Sequence, residues 1–404
     1  MSILLLFVAT CFWILLLYYS VLLIAGIAFR TGYITDERLP TYPSVSILIP
    51  AHNEGKVLGD TLQAMVNLDY PGHLEILVLN DSSTDKTGEI AKAFARHFPN
   101  VRHVSVPPGT PKGKSRVLNY GLSLVDSSYV AVFDADNQPE PDALRLLVEA
   151  AERAERAGGA VGYVKTINEE RNILTRMIAL EFSIFQLVMQ CGRWVLFRTG
   201  SLTGTNMIVK RSVLQEVGAW DPYALAEDAE LTLRITSAGY SLPVVPHSRT
   251  WEQEPESLRV WLRQRTRWMQ GNVYLILKSF SSPSWWRGRV LVHTLQQLAI
   301  YIVFIIFVML SDTWFILGLL NLVSTQFAVP LLLIWFEACV IYVAQLYAAI
   351  VLDDLGSPQN ITIANVMYFT YAQLWIVILV RGWFRQLRSQ RRGTEIVWDK
   401  TIRF

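Results

Sequence analysis

The chain opens with an uninterrupted apolar segment. The run from Ile3 to Phe29 contains no charged side chain and is longer than the roughly 20 residues that cross a bilayer as a helix. It predicts a transmembrane helix over residues 1–30 rather than a cleaved leader, because no basic residue precedes the apolar run. Arg30 and Arg38 follow it, so the positive-inside rule places the amino terminus outside and the next segment in the cytosol.

Residues 43–255 change to short β-branched runs separated by amphipathic stretches, which is typical of an α/β domain. The predicted strands are Val45–Ile49, Glu75–Leu79 and Val130–Phe133, and the predicted helices are Val57–Leu68, Lys86–Phe98 and Ser115–Leu124. This alternation predicts a parallel, doubly wound, Rossmann-like sheet. Ligands of such sheets bind beyond the carboxyl ends of the strands.

The segment Ile173–Gln190 has an apolar face and a polar face at helical spacing. Such a helix suits the membrane interface, but an ordinary core helix has the same periodicity, and the pattern leaves both open. Glu181 falls within the apolar face and fits neither well. Residues 256–289 are basic with interspersed aromatic side chains, which predicts interfacial helices.

Four further apolar runs lie within residues 290–381. They are Val290–Leu310, Trp314–Phe327, Ala328–Leu352 and Ile361–Val380. The loop 353–360 has no basic residue, whereas five arginines follow in 381–392, which predicts the loop outside and the tail 382–404 in the cytosol. Four crossing helices satisfy both placements.

Composition agrees with a membrane protein. Of 404 residues 52% are hydrophobic and only 17% are charged. A net charge of +2 gives no field for nucleic acid, so no nucleic-acid partner is expected. The cysteines Cys11, Cys191 and Cys339 are too far apart in sequence to indicate a metal knuckle or a framework of disulfides.

Two carboxylates, Asp134 and Asp136, follow the apolar strand Val130–Phe133. At a strand end they can share a divalent cation, Mg²⁺ or Mn²⁺, with the phosphate oxygens of a substrate. The same triplet is common in solvated turns, so its position after a strand is what favours the metal site.

Two further segments can contact a nucleotide. Asp81 follows the second strand, where its carboxylate can bind a base or ribose, although the neighbouring polar residues also suit a helix cap. Lys114 lies at the start of a predicted helix, a favourable position for phosphate, and a basic surface cluster is the alternative. The spacing of a P-loop is absent.

Acid and base groups occur in two later segments. Asp228, after Glu227, can remove a proton from an attacking hydroxyl, or can be a first-turn acid that interacts with the helix dipole. Gln264, Arg267 and Trp268 lie three or four residues apart and share one face of a helix. Arginine can bind a diphosphate and tryptophan can stack on a sugar, while a basic interfacial helix is the alternative.

Taken in order, Pro50-Ala-His-Asn-Glu54, Asp81, Asp134-Ala-Asp136, Glu227-Asp228 and Gln264-Arg-Thr-Arg-Trp268 resemble the motifs of family-2 inverting glycosyltransferases. The sequence is most similar to the membrane-integrated processive branch, which includes hyaluronan, chitin-oligosaccharide, poly-N-acetylglucosamine and cellulose synthases. The resemblance covers almost the whole chain, although members of this branch often have more than one helix before the catalytic domain. It implies a GT-A-like cytosolic domain with interfacial amphipathic helices, fused to a multi-helix transmembrane region.

The resemblance also implies roles for individual residues. Asp228 is the expected catalytic base. The nucleotide and donor are expected to contact Ala51, Asn53, Glu54, Asp81, Lys114, Asp134, Asp136, Gln264 and Arg267, with the metal on Asp134 and Asp136. The acceptor is expected to contact Thr203, Gly204, Thr205, Glu227 and Trp268. Trp398, Thr401 and Arg403 resemble a segment that closes over the nucleotide.

The implied activity is transfer of sugar from a nucleotide sugar, with UDP as the expected nucleotide, to a growing β-linked polysaccharide that the protein secretes through its own helices. Membrane lipids and accessory secretion subunits are the expected partners. Transfer of one sugar to a lipid acceptor is the first alternative, and a nucleotide-binding transporter or scaffold is the second. An integral membrane location is expected in every case.

Overall fold

The computed structural model describes residues 2–34, 38–322 and 325–392. The strands are β1 (Val45–Ala51), β2 (Leu74–Asn80), β3 (Val101–Ser105), β4 (Tyr129–Val132), β5 (Gln138–Pro139), β6 (Gly159–Thr166), β7 (Met207–Lys210) and β8 (Val244–Glu252). The helices are α1 (Ser2–Gly32), α2 (Leu58–Val66), α3 (Thr87–His97), α4 (Lys114–Leu122), α5 (Ala143–Arg153), α6 (Ile173–Ile184), α7 (Arg193–Phe197), α8 (Arg211–Val217), α9 (Glu227–Ser237), α10 (Leu258–Phe280), α11 (Val290–Leu298), α12 (Ile305–Leu319), α13 (Thr325–Leu352), α14 (Pro358–Met367) and α15 (Tyr371–Arg392).

The eight strands form one sheet in the order β3-β2-β1-β4-β7-β6-β8-β5. Both faces are covered, because every residue of β1 is buried: Ile47 and Ile49 belong to the core on one face and Leu48 to the core on the other. This explains why the strand sequence is a continuous apolar run rather than an alternating one. The three predicted strands are confirmed as β1, β2 and β4, and β1 pairs in parallel with both neighbours.

The prediction of an entirely parallel sheet was wrong. Strand β7 runs antiparallel to both β4 and β6, and the two-residue β5 runs antiparallel to β8. The helical segment between β6 and β7 packs along α1 before the chain returns to the sheet. The sheet is therefore mixed, with its parallel half at the amino-terminal side of the domain.

A 25-residue helical segment, Ile173–Phe197, replaces the predicted helix Ile173–Gln190 and is long and apolar enough to cross a membrane. It comprises α6, a π-helical stretch Phe185–Gly192, and α7. The contact with α1 is close, because a Cβ on Gly192 would lie 2.3 Å from the carbonyl oxygen of Leu22. On its other side Gln186 forms two hydrogen bonds with the backbone of Val164 in β6. The segment therefore joins the sheet to the first apolar helix.

The four predicted carboxyl-terminal runs form three helical segments in the described chain, if the bent pair α14 and α15 is counted as one segment. Helix α11, a π-helical stretch Ala299–Phe304 and α12 follow one another without a break, so the predicted boundary between Leu310 and Trp314 lies inside a helix. Two polar residues there have hydrogen-bond partners: Thr313 Oγ1 donates to a backbone carbonyl, and Asp312 accepts from the Trp335 indole. These two polar residues do not end the helix, because they have partners on α12 and α13.

By length and composition, three helices in the described residues can cross a membrane: Ala9–Gly32, Ile173–Phe197 and Leu332–Leu352. A fourth span is possible if α14 and α15, which meet at a bend of 53°, are counted together. The shorter helix Val290–Val303 is also apolar. The number of crossings and the positions of the termini remain predictions.

The predicted external loop 353–360 contacts the catalytic domain. Asp353 Oδ1 lies 3.0 Å from Nη2 of Arg30, in the last turn of α1, and 3.7 Å from Lys165 Nζ in β6. Lys165 also donates to the backbone oxygen of Asp353. Groups in direct contact lie on the same side of a membrane, so these contacts favour the side of the α/β domain for this loop, and its placement outside stays a prediction. The positive charges that pair with Asp353 come from elsewhere in the chain, so a count of basic residues within the loop itself does not reveal them.

Candidate active site

Lys114 joins four of the predicted motifs. Its ammonium lies 2.7 Å from Asp134 Oδ1 and 3.4 Å from Glu227 Oε1, and it donates to the backbone oxygen of Gly204. Burial disfavours the charged form, but the nearby carboxylates of Asp134 and Glu227 outweigh it and hold the pKa of Lys114 above its ordinary value. The segments around residues 114, 134, 204 and 227 therefore meet at one point, as the resemblance stated above implies.

Asp228 lies in the first turn of α9, beside this point. Its pKa is raised to about 7, because the carboxyl is buried and Glu227 adds a like charge, while Lys114 offsets only part of the effect. Asp228 Oδ1 accepts a hydrogen bond from the backbone N–H of Ala229. A carboxylate with a pKa near neutrality, in a cavity, has the properties of a general base.

The loop 203–205 lies against these carboxylates. Gly204 has a φ of +79°, and a Cβ at this position would lie 3.3 Å from both Asp228 Oδ2 and Lys114 Nζ. A side chain would therefore be strained here and would crowd the base. Thr205 Oγ1 accepts from the backbone N–H of Asp134, which ties the loop to the end of β4.

Helix α10 provides the other wall of the site. Gln264, Arg267 and Trp268 line the same cavity of about 760 Å³ as Asp134 and Asp228. Their spacing along one helical face predicted this arrangement. The cavity thus has carboxylates at one wall, and an arginine and an indole at another.

The nucleoside-binding residues predicted near β1 and β2 lie outside this cavity, except for Glu54, which lines it. Asp81 pairs with Arg116 at 2.5 Å. Asn53, with a φ of +55°, accepts from the backbone N–H of Thr84. Ala51 is the last residue of β1. This group forms a second cluster at the ends of β1 and β2, separate from the catalytic carboxylates.

Sequence reasoning missed two acidic residues, Glu252 and Glu254, which line the cavity at the end of β8. Burial, followed by the charges of Glu254 and Asp136, raises the pKa of Glu252 well above its ordinary value. Asn137 Nδ2 donates to Glu252 Oε2. Polar residues after a strand were the signal that identified Asp134, and the same signal at the end of β8 could have identified this pair.

The donor atoms suit a hard divalent cation. Asp134 and Asp136 provide carboxylate oxygens, and Glu252 and Glu254 line the same cavity. In the described part of the chain, no group of three or more Asp, Glu, His or Cys side chains is arranged to hold a metal. The pair therefore suits a cation whose remaining ligands come from substrate phosphates and water. The predicted closing residues Trp398, Thr401 and Arg403 lie outside the described residues.

Residues 43–271, which contain all the motifs gathered at this cavity, match the family described as "Glycosyltransferase like family 2". The chain belongs to this family. Family-2 glycosyltransferases take their sugar from a nucleotide sugar, so the cavity beside Asp134 and Asp136 is the active-site candidate of such an enzyme.

Three similar proteins illustrate the relatives of this family-2 glycosyltransferase. A probable glycosyltransferase, YdaM, of Bacillus subtilis (strain 168) is 38% identical over 97% of this chain and 96% of its own. A poly-beta-1,6-N-acetyl-D-glucosamine synthase of Staphylococcus epidermidis is 27% identical over 59% of this chain, and a beta-monoglucosyldiacylglycerol synthase of Synechocystis sp. is 30% identical over 63%. The chain spans only 57% and 54% of these two proteins.

Among solved structures, the mannosyltransferase PcManGT from Pyrobaculum calidifontis, in complex with GDP-Man and Mn²⁺, superposes with a TM-score of 0.56. The match covers 95% of this chain and 99% of that one, at 18% identity. The likeness confirms the predicted GT-A-like α/β fold.

Proposed function

We propose that the protein is a membrane-bound inverting glycosyltransferase in which Asp228 is the general base. The observation that supports this role is the raised pKa of Asp228 in a cavity shared with Asp134, Arg267 and Trp268. A base with a pKa near the working pH combines a useful fraction of the ionised form with adequate proton affinity.

In the proposed reaction Asp228 removes the proton of an acceptor hydroxyl, and the oxygen attacks the anomeric carbon of the donor. The bond from that carbon to the diphosphate breaks from the opposite face, so the configuration inverts and an α-linked donor gives a β-linked product. Arg267 and Lys114 provide positive charge toward the departing diphosphate. A cation bound to Asp134 and Asp136 would supply further neutralisation of that charge.

The first acceptor that we propose is the growing end of a β-linked polysaccharide, with UDP as the nucleotide of the donor. The support is that the motifs from Asp134 to Trp268 line one cavity, together with the similarity to a poly-beta-1,6-N-acetyl-D-glucosamine synthase. Trp268 would stack on the acceptor sugar. Secretion through the protein's own helices, with or without accessory subunits, follows only if the product is a polymer.

The second acceptor is a membrane lipid that receives one sugar. Two observations favour it: the similarity to a beta-monoglucosyldiacylglycerol synthase, and a cavity whose lining includes His293 and Tyr301 of the carboxyl-terminal apolar helices. An acceptor held in the bilayer could reach Asp228 through that wall.

One assay distinguishes these proposals. Detergent-solubilised protein is incubated with a panel of nucleotide sugars and Mn²⁺ or Mg²⁺, nucleotide release is measured, and the product is sized and hydrolysed. A ladder of β-linked sugars supports the synthase, and one sugar on a lipid supports the second acceptor. No nucleotide release with any donor would contradict both and favour a nucleotide-binding scaffold.

A further inference from the structure

Three buried polar side chains lie in the part of the cavity wall that the apolar helices form. Arg193 is the first residue of α7, and His293 and Gln296 are on α11. They line the same cavity as Asp228, and their exposed fractions are 6%, 4% and 5%. The family's motifs do not include them, and the reaction proposed above does not use them.

The hydrogen bond between two of them fixes which atoms can donate. Arg193 Nη2 lies 2.6 Å from His293 Nδ1. Because a guanidinium has no acceptor, Nδ1 must accept, so the proton of the neutral imidazole is on Nε2. Neither this Nε2, nor Arg193 Nε, nor Gln296 Oε1 has a hydrogen-bond partner within the described residues. The cluster therefore leaves two buried donors and one buried acceptor unsatisfied, which is costly without a ligand.

The charge of Arg193 is also uncompensated. Its other contacts are long ones to the hydroxyls of Thr199 and Ser201. Within the part of the chain that the structure describes, no carboxylate forms an ion pair with it, and the ionisable groups of α1 that act on it are the phenols of Tyr18 and Tyr19. A buried cation without a counter-charge is unfavourable, and an anionic ligand would supply that charge.

We propose that Arg193 and His293 bind a phosphate oxygen of an anionic lipid at the membrane side of the catalytic cavity. Arg193 Nε and His293 Nε2 donate to the phosphate, and Gln296 Oε1 accepts from a hydroxyl of the same headgroup. This assignment rests on the proposed function and deepens its second form, because it gives the acceptor a chemical class: a lipid that carries both phosphate and hydroxyl groups.

The surroundings favour a lipid over the donor's diphosphate as the source of the phosphate. Val195 and Leu196, on the turn that follows Arg193, are exposed, and so is Leu295 beside Gln296. Exposed aliphatic side chains on helices of this composition suit contact with acyl chains. The donor's diphosphate already has its own cations in Lys114 and Arg267.

Lipid binding by the full-length protein in neutral detergent tests the proposal. Native mass spectrometry compares phosphatidylglycerol with diacylglycerol of the same acyl chains. We expect the wild-type protein to bind phosphatidylglycerol about tenfold more tightly or better, because charge-assisted hydrogen bonds contribute this much. Equal binding of the two lipids by the wild-type protein would overturn the proposal without any variant.

Variants locate the site. Arg193→Gln should abolish the preference for phosphatidylglycerol, and Arg193→Lys should retain part of it because the charge remains. Arg198→Gln is the matched control: Arg198 is five residues away, exposed, and stacked on Trp194. It should bind lipid as the wild-type protein does. An unchanged preference in Arg193→Gln would overturn the assignment. Thermal unfolding is also measured with inorganic phosphate and with phosphatidylglycerol. If both raise the Tm equally, the site binds a free anion, and the assignment to a lipid is overturned.

Nucleotide release is measured on the same samples, so that failure of the inference and failure of the proposed function can be distinguished. We expect Arg193→Gln to keep the wild-type KM for the donor. A wild-type protein that turns over a donor but does not discriminate between the lipids would contradict only the lipid site. A protein that releases no nucleotide but prefers phosphatidylglycerol would contradict only the proposed function.

Discussion

The guanidinium carbon of Arg265 lies 4.0 Å from the centre of the Trp268 ring, and the guanidinium is fully buried. On its other side Arg265 Nη2 lies 2.7 Å from Glu181 Oε2, which also accepts from the Tyr371 hydroxyl. Trp268 lines the catalytic cavity and Arg265 does not. Arg265 is therefore a positioning residue, which holds the indole through a cation–π contact while Glu181 holds the guanidinium.

Glu181→Gln should destabilise the protein, because it removes the carboxylate that forms the ion pair with the buried Arg265 guanidinium. Breaking a buried ion pair in this way costs about 3–5 kcal/mol. We expect a clearly lower Tm, and in the folded fraction a higher KM for the acceptor with an unchanged KM for the donor. Glu170→Gln is the matched control, since Glu170 is exposed and pairs with Arg176 at 3.5 Å. Equal Tm values for the two variants would contradict the role of Arg265.

Activity should fall below neutral pH, because Asp228 must be ionised to act as a base and its pKa is about 7. If Asp228 limits the rate, kcat/KM should drop by about tenfold between pH 8 and pH 6. The measurement is the initial rate of nucleotide release across that range at subsaturating donor. A flat profile with the wild-type protein would exclude Asp228 as the titrating group.

Asp228→Asn should remove most of the activity without lowering stability at pH 8. General base catalysis contributes about 10²–10⁴-fold, so a loss of that size is expected. The pKa of the Asp228 carboxyl is higher in the folded than in the unfolded protein. The stability that this carboxyl contributes is therefore fully present below the unfolded pKa, and it is lost as the pH rises through about 7. An asparagine at this position does not ionise, so the variant does not lose this stability at pH 8. A Tm for the variant at pH 8 well below that of the wild-type protein would contradict the burial argument.

Asp136→Asn should raise the Mn²⁺ concentration that gives half-maximal activity. Loss of one of two carboxylate ligands is expected to weaken metal binding by about tenfold or more. The control is Asp126→Asn, which removes a carboxylate that is 97% exposed and pairs with Arg211. Saturating Mn²⁺ should restore part of the activity of Asp136→Asn. The same Mn²⁺ dependence in both variants would exclude Asp136 as a ligand.

Much of the catalytic site could be predicted from the sequence because its residues obey local rules. Asp134 and Asp136 follow an apolar strand, and the carboxyl ends of parallel strands meet at one edge. Gln264, Arg267 and Trp268 share a helical face through spacing alone. Rules of this kind depend only on neighbouring residues, so they hold before the fold is known.

The parts that sequence analysis missed depend on residues that are far apart in the chain. Glu181 looked misplaced on an apolar face, because its partner Arg265 is 84 positions away. Arg265 itself, within the recognised motif, received no role for the same reason. A buried ion pair between distant segments leaves no periodic signal, so only the packing of α6 against α10 identifies it.

The loop after α13 provides the last prediction. Asp353 contacts both Arg30 and Lys165, and Lys165 is in strand β6 of the catalytic domain. We therefore expect a cysteine at the exposed neighbouring position, Asp354→Cys, to be labelled by a membrane-impermeant thiol reagent from the same side as a cysteine in the catalytic domain, Lys86→Cys. Both are made in a background in which Cys11, Cys191 and Cys339 are replaced by serine.

Inside-out vesicles and intact cells expose opposite faces to the reagent. If the catalytic domain is cytosolic, both cysteines should react in inside-out vesicles and neither should react in intact cells. Opposite labelling of the two positions would support four crossings after the catalytic domain, and would mean that the contact of Asp353 with Arg30 and Lys165 does not form in the membrane. If both cysteines are labelled from the same side, two topologies remain for α14 and α15, which follow this loop and are bent by 53°. The pair either enters the membrane and returns to the side of the active site, or crosses it and ends on the opposite side. A third cysteine, Arg388→Cys near the end of α15, distinguishes these two topologies. The reagent labels it from the same side as the other two cysteines only if the bent pair returns to that side.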